Sequence, residues 1–134
     1  MIVNVENRCT VLMLEDEPII GRAVSRSLAM YGYDVEVAPN GLIAKEKIDA
    51  RNKYEFLICD IKTPVMNGIE LFEYLQREHH LLADRIIFTS GDSLGIITKE
   101  FLEKVNRPYL SKPYTPAQLL TLIKEVFSLD LIKT

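Results

Sequence analysis

The chain has 134 residues, 48% of them hydrophobic and 26% charged, which suits one compact domain with a real core rather than two. A net charge of −3, without any run of lysine or arginine, offers no electrostatic footprint for nucleic acid. The apolar stretches are far too short to cross a membrane and the first residues lack a signal pattern, so a cytoplasmic location is expected; Cys9 and Cys59 make neither a disulfide framework nor a zinc site.

Residues 1–9 read as a leader, and the domain is expected over 10–129 with a tail at 130–134. Thr10 to Leu14 does not alternate, as expected of a strand buried on both faces. Pro18 suits the first turn of a helix whose Ile20, Val24, Leu28 and Tyr31 fall on one apolar face, with Gly32 ending it. Tyr33, Val35 and Val37 alternate with Asp34 and Glu36, the period of a strand at a sheet edge. Asn40-Gly41 opens a second helix carrying Ala44 and Ile48. Phe56 to Cys59 is a third strand, with Asp60 at its end. Turn chemistry at Thr63-Pro64 and Asn67-Gly68 precedes a helix with Leu71 and Leu75. Ile86 to Phe88 is a fourth strand, turning at Thr89-Ser90-Gly91-Asp92 into a helix through Phe101, Leu102 and Val105. Tyr109-Leu110 is the fifth and shortest strand. Thr115-Pro116 then caps a last helix with Leu119, Leu120, Ile123, Val126 and Phe127 on one face.

Strands alternating with helices imply an α/β fold, a parallel sheet with helices on both faces. The C-terminal ends of such strands share one rim, so Glu15-Asp16, Asp60 and Lys112 converge there. Three acids at one point repel unless a divalent cation relieves them, and hard oxygen ligands favour magnesium. With the acids so screened, a carboxylate can attack phosphorus as a nucleophile; Lys112 balances charge and the Thr89 hydroxyl can donate to a phosphoryl oxygen. Each residue has a plainer role when taken alone. Acids before Pro18 suit a helix start, Asp60 an Asx turn, Thr89 a turn cap, and Lys112 a solvated surface. Four such features at one rim, in chain order, favour the joint reading.

These residues and spacings resemble the receiver domain of two-component response regulators, from Thr10 to about Leu129. The signs are the acidic pair after the first strand, Asp60 after the third, Thr89 after the fourth and Lys112-Pro113 after the fifth. The resemblance implies a flavodoxin-like, doubly wound five-stranded sheet in the order 2-1-3-4-5 with five helices. It implies that Asp60 accepts a phosphoryl group from a histidine kinase or a histidine phosphotransfer protein. Asp16, Asp60 and the backbone carbonyl of Lys62 would hold Mg2+, with Glu15 reaching it directly or through water, while Thr89 and Lys112 contact the phosphoryl group. The Lys112-Pro113 bond is expected to be cis.

Tyr109 matches the position of a rotating aromatic switch, coupling phosphorylation to a face that binds a partner or a second copy of the chain. A tyrosine on a short edge strand also simply packs there, and both readings stay open. Lys62 departs from the small side chain common at its place and is expected to alter acyl-phosphate lifetime. Ser90 and Gly91 leave the site edge small and open. Phe88-Thr89-Ser90-Gly91-Asp92, Phe101-Leu102-Glu103 and Tyr109 to Pro113 resemble, more weakly, receivers fused to hybrid sensor histidine kinases; a stand-alone regulator is equally compatible.

The competing classes fit less well. A haloacid-dehalogenase phosphatase needs a second acid two residues after its nucleophile, where this chain has Lys62. A dinucleotide-binding domain needs glycine in the turn occupied by Glu15-Asp16-Glu17-Pro18. A pseudo-receiver, keeping the fold as a phosphate-independent interaction module, is opposed by the intact acids, Thr89 and Lys112. His79-His80, adjacent at a helix end without a third ligand, reads as a pair of solvated histidines.

Overall fold

The computed structural model describes residues 8–51, 53–91 and 95–132; leader residues 1–7, the turn residue Asp92 and tail residues 133–134 lie outside the described residues. The elements run β1 (Cys9–Leu14), α1 (Pro18–Ala29), β2 (Tyr33–Ala38), α2 (Gly41–Arg51), β3 (Phe56–Asp60), α3 (Gly68–Glu78), α4 (His80–Ala83), β4 (Ile86–Ser90), α5 (Ile96–Val105), β5 (Tyr109–Ser111) and α6 (Pro116–Ile132). All five strands are parallel, in the order β2-β1-β3-β4-β5.

The period of two along each strand decides which helices lie on which face. Leu12, Leu14, Leu57, Cys59, Ile86 and Phe88 point to the face covered by α2, α3, α4 and α5, where they meet Ile48, Leu71, Leu75 and Leu102. Val11, Met13, Phe56, Ile58 and Ile87 point the other way, against Val24 and Leu28 of α1 and Leu119, Ile123 and Phe127 of α6. Phe56 stacks on Phe127 with ring centroids 4.4 Å apart. Apolar on both sides, β1 and β3 are central, whereas β2 alternates because it is an edge.

Local chemistry sets the helix ends. Asn67 accepts from the Glu70 N–H at 2.9 Å while Glu70 accepts from the Asn67 N–H at 3.1 Å, a reciprocal capping box. Thr115 and Gln118 make the same pair of bonds before α6. Gly32 takes φ 93° where α1 gives way to β2, a conformation a Cβ would penalise.

Several boundaries differ from the sequence expectations. β1 takes in Cys9, assigned to the leader, because its N–H donates to Gly32 O at 2.9 Å and its side chain is buried. Burial pushes the Cys9 thiol up to about 12. Tyr31 falls past the end of α1 and is exposed rather than on its apolar face. α6 runs through Ile132, past the expected boundary at 129. There are six helices among the described residues, not five, since Leu82 and Ala83 bury themselves through the single turn of α4. β4 continues through Thr89 and Ser90, which pair with Leu110 and Ser111 instead of turning.

His79 is not simply solvated. Its Nε2 lies 2.9 Å from Asp49 Oδ1, which also accepts from the Tyr74 hydroxyl at 2.6 Å, tying α2 to the end of α3. The Tyr74 hydrogen bond, with His79 adding to it, holds the Asp49 carboxyl below its ordinary 3.8. A carboxyl lowered in the folded state stabilises above its unfolded pKa and loses that contribution as pH falls through the folded value. Asp49→Asn is therefore expected to lower stability at pH 7 by about 0.5 kcal/mol, a figure reduced for solvent screening, with the difference fading below about pH 4. Urea midpoints of the two proteins across that range measure it.

Candidate functional site

In a doubly wound sheet, ligands bind outside the carboxyl ends of the strands where the order reverses, here between β1 and β3. Glu15 and Asp16 leave β1 at that point, and the Glu15 N–H donates to Ala38 O at 3.0 Å. Asp60 is the last residue of β3 and pairs in register with Thr89 of β4. Lys112 follows β5, its N–H donating to Ser90 O at 2.6 Å, and the Lys112–Pro113 peptide is cis.

The side chains converge. Asp60 is 3% exposed and Glu15 2%. The Lys112 Nζ lies 2.8 Å from Asp60 Oδ2, 3.0 Å from Glu15 Oε1 and 3.1 Å from Glu15 Oε2. It reaches Glu17 Oε2 at 3.5 Å. The other Asp60 oxygen, Oδ1, accepts from the Lys62 N–H at 3.2 Å, and Glu15 Oε2 accepts from the Glu17 N–H at 3.1 Å. One carboxylate oxygen each from Glu15, Asp16 and Asp60 lie within 4.8 Å of one another, a spacing that suits a single hard cation.

Burial pushes the Asp60 carboxyl up from its ordinary 3.8, against the opposing pull of Lys112. Burial also raises Glu15, with its hydrogen bonds from Glu17 and Lys112 working the other way. For Lys112, burial lowers the ammonium, but the Asp60 and Glu15 carboxylates outweigh it and leave it above the ordinary lysine range. The Lys112 ammonium thus serves three carboxylates beside an open pocket of about 290 Å3. That pocket is lined by Asp16, Glu17, Asp60, Lys62, Gly91 and Lys112.

The structure therefore gathers Glu15, Asp16, Asp60, Lys62 and Lys112 in one place. Thr89 sits beside Asp60 in the sheet, fully buried, and its Oγ1 has no hydrogen-bond partner among the described residues. Tyr109 stands apart, 47% exposed on β5. Of the two small residues expected at the site edge, only Gly91 borders the pocket; Ser90 is a buried strand residue. Two participants were not singled out from the sequence. Glu17 touches Lys112, and its only signal was its place in the Glu15-Asp16-Glu17 run. The buried Tyr114 hydroxyl has no partner among the described residues; burial, and then the charge of Glu15, pushes it up. Nothing in the sequence distinguished it from a packing aromatic.

A family model described as the response regulator receiver domain matches residues 11–124. The chain is 32% identical over 125 residues to "Probable transcriptional regulator ycf29" of Porphyra purpurea, covering 90% of this chain and 57% of that protein. It thus spans just over half the length of the first curated relatives it matches. It is 32% identical over 112 residues to chemotaxis protein CheY1 of Helicobacter pylori strain J99, covering 81% of this chain and 89% of that one. Among solved structures, a CheY-like receiver domain protein from Methanospirillum hungatei JF-1 superposes with a TM-score of 0.80 at 26% identity, covering 94% of this chain and 98% of that one. With the family model spanning most of the chain, a fold that superposes on a CheY-like receiver domain and the acids at the switch point of its sheet, the chain belongs to the response regulator receiver domain family of two-component signalling.

Proposed function

We propose that residues 10–129, together with Cys9, act as a phosphoacceptor in a two-component phosphorelay, with Asp60 taking a phosphoryl group from a phosphohistidine donor on a kinase or phosphotransfer protein. The observation that carries this reading is the placement of Asp60, a buried carboxylate at a sheet switch point with Lys112 2.8 Å away and an open pocket in front. An Asp60 oxygen attacks phosphorus, the P–N bond to the donor imidazole breaks, and the imidazole leaves with the electron pair. Lys112 offsets the charge on the phosphoryl oxygens, and the unpartnered Thr89 hydroxyl donates to one of them.

The chemistry of the donor set suits magnesium: Glu15, Asp16, Asp60 and the Lys62 carbonyl are the residues that would hold it. When bound, such a cation supplies charge neutralisation and template binding of a phosphoryl oxygen. This chain's residues do the rest. Asp60 supplies the nucleophile, Lys112 and Thr89 hold the transferred group, and Lys62 at the pocket wall tunes how readily water reaches the product.

The output in this reading is a shift of population. Drawing Thr89 toward the phosphoryl group makes room for Tyr109 to turn in from its exposed position, altering the face of α5, β5 and α6 toward a partner. Such a coupling amounts to about 1–3 kcal/mol.

The test is intact mass after incubation with acetyl phosphate, with and without magnesium. A magnesium-dependent gain of one phosphoryl group is expected, and Asp16→Asn should slow it by about tenfold or more at limiting magnesium. A chain that never gains mass and never binds magnesium is a pseudo-receiver instead.

A further inference from the structure

We infer that the cleft between α1 and the end of β2 is a binding site for a small amphipathic anion, an aromatic or short-chain carboxylate or sulfonate. The cleft is distinct from the acid pocket but adjoins it, with a volume of about 420 Å3, within the range of small-molecule sites. Its apolar wall is made by Pro18, Gly21, Val37 and Pro39. Its other wall carries Arg22, Ser25 and Arg26. On α1 these cleft positions form a stripe at i, i+3, i+4 and i+7, separate from the Val24 and Leu28 stripe that packs into the core.

The two arginines point to the ligand's charge. Arg22 and Arg26 are one turn apart, a like-charge spacing that weakens a helix. Among the described residues neither has a carboxylate within ion-pairing distance. Arg22 and Arg26, which line a mostly apolar cleft, complement a compact molecule with an apolar body and an anionic head that their guanidinium groups can turn to meet. The cleft also shares Glu15 and Asp16 with the acid cluster. Glu15 is already paired with Lys112, so Asp16 is the charge that opposes an incoming anion. A cation held by the acid cluster would remove that opposition, and by reciprocity each ligand should tighten the other. This coupling rests on the metal reading above, whereas the anion site does not.

The probe is anilinonaphthalenesulfonate, titrated into the folded chain by fluorescence, with amide chemical shifts locating it. Saturable one-site binding is expected, with shifts concentrated at Gly21, Ser25 and Val37. The double variant Arg22→Ala, Arg26→Ala should weaken binding by about tenfold or more. Ser25→Phe, which fills the cleft from a half-buried position on α1, should abolish it. Both variants should keep the magnesium-dependent mass gain from acetyl phosphate, so failure of the anion site and failure of the phosphoacceptor reading are told apart. Magnesium should tighten the wild-type affinity by about fivefold; an unchanged affinity would overturn the coupling. Binding that does not saturate, ignores the double variant, or shifts amides around Met30, Tyr31 and Leu120 instead would overturn the site. So would binding to anionic vesicles without binding of the monomeric anion.

Discussion

Asp60→Asn is expected to take up no phosphoryl group from acetyl phosphate and yet to unfold at a higher temperature than the wild type at pH 7. The first half follows from chemistry, since an amide oxygen has no anionic charge with which to attack phosphorus. The second follows from the charge count at the rim. The Lys112 ammonium lies within 3.5 Å of Glu15, Glu17 and Asp60, so three carboxylates share its contacts and Asp60 is held there at a cost, its carboxyl pushed up by burial. Replacing it with an amide of the same shape leaves Lys112 paired with Glu15 and removes one buried charge. A gain of about 1 kcal/mol, or about 3 °C in Tm, is the expected size. An acid raised in the folded state is no burden below its unfolded pKa of about 3.8, and it costs stability progressively as pH rises through the folded value. The advantage of Asp60→Asn should therefore be full at pH 7 and shrink toward pH 4. Intact mass and thermal unfolding across that range measure both halves. A variant that still gained phosphate would move the nucleophile elsewhere. One that lost several degrees at pH 7 would mean that Asp60 stabilises the fold through Lys112 more than its burial costs.

The parts of this molecule that depend on short-range pattern could be read directly. The non-alternating run marked β1 as buried on both faces, and alternation in 33–37 marked β2 as an edge. The Thr115 cap lies where its side chain suggests, and Asn67, read as turn chemistry, caps the helix that follows. The site was legible for a different reason: parallel strands deliver their C-terminal residues to one rim, so chain order alone brings Glu15, Asp16, Asp60 and Lys112 together.

What escaped depends on contacts between distant segments. Thr89 and Ser90 have turn-forming side chains, but pairing with β5 keeps them in the strand. The Asp49–His79 contact links residues 30 apart in sequence, so neither its α2 side nor its α3 side carries a local signal. α4 is too short for a helical period to show, and only the burial of Leu82 and Ala83 explains it. Glu17 was not singled out beside Glu15 and Asp16, and only the position of Lys112 reveals its part in the pocket.

Gly68→Ala is expected to lower Tm by about 10 °C, from a loss of about 3 kcal/mol, and to slow phosphoryl uptake sharply. Gly68 opens α3 directly beneath the end of β3, and its N–H donates to Ile61 O at 2.9 Å. A Cβ there would lie 2.5 Å from the Asp60 carbonyl oxygen and 2.9 Å from the Ile61 Cα, closer than real atoms approach. Both neighbours are backbone, so no flexible side chain can move aside. Either α3 lifts away, straining the Asn67–Glu70 capping box, or the Asp60 backbone shifts and carries the carboxylate with it. A displacement of even about 1 Å at a nucleophile can cost about a hundredfold in rate. Gly91→Ala is the matching control, because Gly91 also borders the acid pocket but a Cβ there has nothing within 4 Å among the described residues. That variant should keep the wild-type Tm and most of its uptake rate. If Gly68→Ala melted and reacted like Gly91→Ala, the close contact between α3 and the Asp60 backbone would not be what fixes the position of the carboxylate.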